Sequence, residues 1–264
     1  MANDTIKFSL HNLILDGHKP DVKLFEKVPS SFTIVSDDGA SGIARFENGG
    51  NYLWMTVRTG KSHPYGTEVL NTRTQACEVN PRTPEQAELR SQGFCMYLFE
   101  SGLLYVASGL EYFKKMIAKI NPGIQVRNLY KTRDEIIDSV RRIDKVRLVA
   151  EEDLFSAADT IFSVPKNSLG LGNPNQVKVE LKFPHASVSE RFKSFIRQKG
   201  FSGCDCGSWK NLTVAGDFED GDRIISSVFN LKSLESSIFV QVSKNDSGLY
   251  NDDEVKSALL AQIL

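Results

Sequence analysis

Gly93-Phe94-Cys95-Met96-Tyr97-Leu98-Phe99-Glu100-Ser101-Gly102-Leu103-Leu104-Tyr105-Val106-Ala107 is the stretch from which the fold is read. Phe94 to Phe99 and Leu103 to Ala107 are apolar runs rich in aromatic and branched residues. Glu100-Ser101-Gly102 between them is a tight-turn signal, so the pair predicts a β-hairpin. A helix is expected next. Ser108 can cap it, and Leu110, Phe113, Ile117 and Ile120 recur at helical spacing until Asn121-Pro122-Gly123 stops it.

Toward the N-terminus the pattern is also one of strands. Ile6, Phe8 and Leu10 alternate with Lys7, Ser9 and His11, and Asp16-Gly17 and Pro20-Asp21 turn the chain. Phe32 to Val35, Tyr52 to Val57 and Thr67 to Leu70 are further strand candidates. Cys77 and Cys95 fall in strand-like runs and read as small core residues. Beyond the helix, Ile124 to Tyr130 and Val146 to Val149 are expected as strands. Thr132 and Glu135 form a capping-box pair for a short helix through Val140.

Glu151 to Gln176 changes the rhythm. Pro165 and Gly170-Leu171-Gly172-Asn173-Pro174-Asn175 resist regular structure. After it, Val177, Val179, Leu181 and Phe183 alternate with Lys178, Glu180 and Lys182, a half-buried strand. Ser187 and Glu190 open a helix with Val188, Phe192, Phe195 and Ile196 on one face, and Gly200 stops it. Leu212 to Val214 and Ile238 to Val242 read as strands, and Asp222 to Phe229 as a helix. Asn251-Asp252-Asp253-Glu254 places negative charge where a final helix through Leu264 begins. The expectation is an α+β protein. A strand-rich domain with two or three helices covers residues 1–160, a linker 161–176, and a small α/β sandwich 177–264. The parallel or antiparallel order of the second sheet stays open.

Composition narrows the function classes. The chain has 264 residues, 32 Lys and Arg against 33 Asp and Glu, and 41% hydrophobic residues. That is enough apolar material for a sizeable core, and it excludes an evenly basic nucleic-acid coat. No run reaches the roughly 18 apolar residues of a membrane helix, and Met1-Ala2-Asn3-Asp4 is unlike a secretory leader. A cytoplasmic protein without membrane contact is expected.

Chemistry-bearing motifs are few. His11, His18, His63 and His185 are scattered and read as surface or hydrogen-bonding residues. Cys204-Asp205-Cys206 lacks the second pair that a zinc site needs. No phosphate-cradling glycine loop or nucleophile elbow occurs, so no cofactor and no metal site is expected. One enzymatic pattern is Glu180-Leu181-Lys182 on a strand with Asp159 upstream, the arrangement of metal-dependent nucleases. Asp21 adds nothing stronger to it. The simpler reading makes Lys178, Glu180 and Lys182 the solvent face of an amphipathic strand.

Charge is segregated along the chain. Between Tyr112 and Ala150 stand Lys114, Lys115, Lys119, Arg127, Lys131, Arg133, Arg141, Arg142, Lys145 and Arg147. Against them are only Asp134, Glu135, Asp138 and Asp144, which leaves +6 in a chain whose total is −1. Arg191, Lys193, Arg197 and Lys199 form a second, smaller stripe. Clustered cations neutralise backbone phosphates, so the ten residues are the expected nucleic-acid contacts. The alternative is a solvated helix face.

Asn51-Tyr52-Leu53-Trp54, then Gly93 through Phe113, then Val177 to Pro184 with the helix and strand that follow, occur in an order that resembles the RexA family of phage-exclusion, abortive-infection proteins. Residues 60–92 and 114–176 depart from that family's spacing, and no individual residue role is carried over. The resemblance implies a globular domain with a mobile second domain, a homodimer, and binding of double-stranded DNA in antiviral defence. The leading expectation is therefore a non-enzymatic, largely sequence-independent DNA-binding component of a phage-defence system, with a possible partner effector protein. The alternatives are a metal-dependent nuclease using Glu180 and Lys182, and a protein-binding subunit without nucleic-acid contact.

Overall fold

A computed structural model describes residues 4–35, 40–62, 65–83, 85–129, 133–151, 176–188, 190–199, 209–220, 223–230, 233 and 235–263. The chain runs β1 (Asp4–Ile14), a 3-10 helix (Val22–Phe25), β2 (Ser31–Val35), β3 (Ala40–Asn48), β4 (Tyr52–Lys61), β5 (Glu68–Asn71) and β6 (Ala76–Val79). There follow β7 (Ser91–Leu98), β8 (Leu103–Ala107), α1 (Leu110–Ile120), β9 (Gln125–Asn128) and α2 (Arg133–Ser139). The remainder is β10 (Val140–Glu151), β11 (Gln176–Ser187), α3 (Glu190–Lys199), β12 (Trp209–Asp220), β13 (Arg223–Asn230), β14 (Glu235–Val242) and α4 (Asp252–Ile263). The strand-rich α+β class is as expected. Two compact units form, Met1–Arg127 with Phe239–Leu264, and Asn128–Ile238. This grouping differs from the expected 1–160 and 177–264. The final helix finds its apolar partners in the first unit, and the strand at 140–151 pairs with strands that follow it. The expected linker lies outside the described residues up to Asn175.

In the first unit the strands follow the order β1-β8-β7-β4-β3-β2, antiparallel at each step, and β9 and β14 also pair with β1. The hairpin of β7 and β8 closes as expected. Gly102, at φ 71°, takes a left-handed turn that favours glycine, and its N–H donates to the Leu98 carbonyl at 2.8 Å. Cys95, Tyr97, Leu104 and Val106 face one layer, where Phe113, Met116 and Ile117 of α1 and Phe25 of the 3-10 helix cover them. The alternate positions face the other layer. There Trp54 stacks on Phe94 at 5.9 Å, Phe94 meets Tyr250 edge-on at 6.3 Å, and Val255 and Leu259 of α4 are buried. Each large apolar side chain so buried contributes about 1.5–3 kcal/mol.

Two local expectations are corrected in this unit. Ser108 does not cap α1. It sits at φ 67°, and Gly109, at φ 78° and without a side-chain cap, is the N-cap. The chain must turn sharply out of β8 to lay Phe113 on the sheet, and two left-handed residues make that turn. Cys77 is not core either. It is exposed on the separate β5–β6 ribbon, whereas Cys95 is fully buried and its thiol is pushed up by desolvation.

The end of the chain is tied down by polar contacts. Asn251 caps α4, its Oδ1 accepting from the Asp253 and Glu254 N–H groups at 2.9 and 3.4 Å. Arg58 of β4 donates to both Asp252 oxygens at 3.1 and 3.2 Å. Gln92 of β7 clasps the Tyr250 backbone, accepting from its N–H at 2.8 Å and donating to its carbonyl at 3.0 Å. Lys256 bonds Glu47 at 2.6 Å and Asp253 at 3.0 Å, and the Glu47 bond holds its ammonium above the usual lysine range.

The second unit orders its strands β11-β10-β12-β13-β14, again antiparallel. The helix expected from Asp222 to Phe229 is the strand β13. Ile225, Ser227 and Phe229 are buried and Ile224 is exposed, a two-residue period that the short apolar run disguised. Phe229 packs on Phe218 at 4.3 Å between ring centroids. Ile136 and Ile137 of α2 are buried, and α2 packs against β12 and α3. Gly216 faces a register shift in β10, where a Cβ would collide with the Arg142 carbonyl, so only glycine fits.

Two outcomes are expected. The Tyr97 hydroxyl is buried with no hydrogen-bond partner among the described residues. Tyr97→Phe should therefore raise stability by about 1 kcal/mol in chemical denaturation, since it removes an unsatisfied polar atom. Gln92→Ala should increase hydrogen exchange of the α4 amides selectively, because the Tyr250 backbone loses both bonds to that side chain.

Candidate nucleic-acid interface

The ten expected contact residues are distributed over both units. In the first unit, Lys114 pairs with Glu111 at 2.8 Å, while Lys115 and Lys119 are exposed on α1. Arg127, on β9, donates to the Gln125 Oε1 at 2.6 and 3.1 Å. In the second unit Arg133 lies on α2, and Arg141, Arg142, Lys145 and Arg147 lie on β10. Lys131, like Asp159, His63 and Cys204 to Cys206, lies outside the described residues.

Strand geometry sorts the β10 cations. Arg141 is ion-paired with Glu219. Arg142 reaches Asp217 at 3.2 Å and Asp144 at 3.3 Å, and Ser226 donates to Asp217 at 2.6 Å. That group is a neutralising knot within the sheet. Further along the strand the balance changes. Lys145 lies opposite Lys182, Arg147 opposite Glu180, and Val149 opposite Lys178. Directly opposed residues share a face, so Lys145, Arg147, Lys178, Glu180 and Lys182 form one patch. Glu180 pairs with Lys145 at 3.3 Å and lies 3.9 Å from Lys182, which relieves the repulsion of the opposed lysines. Arg147 and Lys178 are exposed and have no ion-pair partner among the described residues. From Lys145 to Val149 four cations stand against one carboxylate, and Glu151, paired with Gln176, follows on the same face.

Lys178 and Lys182 were absent from the expected contacts. Their alternation along a strand was visible, but only the β10–β11 register places them beside Lys145 and Arg147. The second basic stripe has a different use. Arg197 pairs with Asp134 and Asp138, and Lys193 donates to the Asp138 carbonyl at 3.3 Å, joining α3 to α2. Among the described residues no group of three or more His, Cys, Asp or Glu side chains is placed to hold a metal ion. No described helix is long and apolar enough to cross a membrane.

Arg142→Glu should lower Tm by several degrees, because it sets a third carboxylate beside Asp144 and Asp217, whose side chain is only 16% exposed. Arg147→Ala and Lys178→Ala should leave Tm within about 2 °C, as exposed substitutions do. Differential scanning calorimetry separates the two classes. A comparison with models of known protein families gives no match to this chain, and a comparison with curated proteins gives none.

Proposed function

We propose that the chain is a non-enzymatic protein that binds DNA through its phosphates, with little sequence preference. The observation that carries this reading is the patch of Lys145, Arg147, Lys178 and Lys182 about Glu180 on one sheet face, where cations outnumber acids. Lysines and an arginine on a sheet contact phosphate oxygens, which positions a duplex without reading its bases. Glu180 is held by two lysines and acts as a charge spacer in this reading, with no part in metal chemistry. The resemblance to phage-exclusion proteins supplies a setting, defence against phage, in which duplex DNA is the partner and the protein works as a dimer or beside an effector.

Binding is measured by fluorescence anisotropy on labelled duplex, single-stranded DNA and RNA at two salt concentrations. Duplex affinity should fall steeply with salt, with each neutralised phosphate contributing about −0.9 to the log–log slope. Removing Arg147, Lys178 and Lys182 together by alanine should weaken binding at least tenfold and flatten that slope. Glu180→Gln should strengthen binding several-fold, because it frees Lys145 and Lys182. A magnesium-dependent cleavage lost in Glu180→Gln would instead establish the nuclease. The exposed Leu70 and Val79 of the β5–β6 ribbon favour a second reading, protein contact. Failure of the wild-type protein to bind any nucleic acid at low salt would overturn the proposal in favour of that one.

A further inference from the structure

The first unit holds a groove of about 530 Å³ between the 3-10 helix, β2 and the last turn of α1. Leu24, Phe32, Met116 and Ile120 form its apolar walls, and Lys23, Lys27 and Lys119 stand on its border. The volume is within the range of small-molecule sites, about 300–1,000 Å³. Parts of its lining are tied to the core. Phe25 anchors the 3-10 helix in the core against Tyr97 and Phe99 at 5.3 and 5.8 Å, and Met116 is buried. Phe32 stacks on Phe46 at 5.4 Å, and the Lys119 ammonium lies 5.0 Å from the Phe32 ring centre.

The lining has an unusual polarity. Each polar side chain in it is an ammonium, which donates hydrogen bonds and accepts none. Asp21, the N-cap of the 3-10 helix, accepts from the Lys23 N–H at 2.9 Å and does not line the groove. None of the three lysines has an ion-pair partner among the described residues. A sugar or a nucleobase would leave its own donors without side-chain acceptors there. An anionic head on an apolar chain matches both parts, the head at the lysines and the chain along Leu24, Phe32 and Ile120.

We propose that this groove binds a small amphipathic anion, an alkyl or acyl chain ending in a phosphate or carboxylate. The site is independent of the cationic sheet face and of the DNA-binding reading. Titration calorimetry on the full chain, below the critical micelle concentration, tests it with dodecyl phosphate, dodecanoate, dodecanol and inorganic phosphate. Dodecyl phosphate or dodecanoate should bind at least tenfold more tightly than dodecanol or inorganic phosphate, and the two anions compared show which head the lysines prefer. The combined Lys23→Ala, Lys27→Ala and Lys119→Ala protein should lose at least tenfold in affinity. Leu24→Trp, which narrows the groove and keeps every charge, should also weaken binding, whereas Lys115→Ala should not. Circular dichroism and Tm verify that each variant is folded. Inorganic phosphate binding as tightly as dodecyl phosphate would reduce the site to a charged surface and overturn the proposal. So would affinity unchanged by the lysine substitutions, displacement of dodecyl phosphate by short single-stranded DNA, or no binding of either amphiphile.

Discussion

The sheet of the first unit must be covered on both faces, and the rest of that unit follows from this. Strands β7 and β8 expose almost nothing: from Gly93 to Leu98 and from Leu103 to Ala107 every side chain is buried. A sheet with two apolar faces needs two covers. The segment directly after β8 supplies the first, since α1 folds back over Cys95, Tyr97 and Leu104. The second arrives from the other end of the chain, where α4 brings Val255 and Leu259 to the opposite layer. Burial is non-directional, so polar contacts fix the position of that last helix. Arg58 pairs with Asp252, and Gln92 bonds both the Tyr250 backbone and Asp252.

The second unit solves a different problem, that of charge. Its strands turn Ile143, Val146, Leu212, Val214, Phe218 and Phe229 inward. Charged residues are thereby collected on the outward face. Near the β10 bulge they neutralise one another, as Arg142 does with Asp144 and Asp217. Along the straight part of the ladder the cations outnumber the acids. The same strand thus serves stability at one end and presents free positive charge at the other. The division falls at the register shift between Ile143 and Lys145.

Sequence and structure agree where the signal is local. The hairpin turn at Gly102, the 3.6-residue stripe of α1 and the acidic start of α4 are each written in a few adjacent residues. Disagreement arises where a short run supports two periods. Ile224 to Phe229 contains apolar residues on both faces, and pairing with β12 and β14 makes it a strand. Ser108 shows a related failure: it has the chemistry of a cap, but the chain direction out of β8 decided the backbone. The candidate interface was half legible. Lys145 and Arg147 stood out by charge density, whereas Lys178 and Lys182 joined them only across the ladder.

By itself the sequence determined the strand-rich α+β class, the central hairpin, the helices at 110–120, 133–139, 190–199 and 252–263, and the excess of cations between Tyr112 and Ala150. These depend on periodicity, turn chemistry and composition, which act over fewer than about twenty residues. Tertiary structure alone decided which elements belong together, which cations are neutralised, and the meeting of Lys23, Lys27 and Lys119 at one groove. Those outcomes depend on contacts between residues far apart in the chain, such as Arg142 with Asp217 and Arg58 with Asp252. A one-dimensional pattern carries no record of such pairings, because they are selected by the burial of whole faces and the register of whole strands.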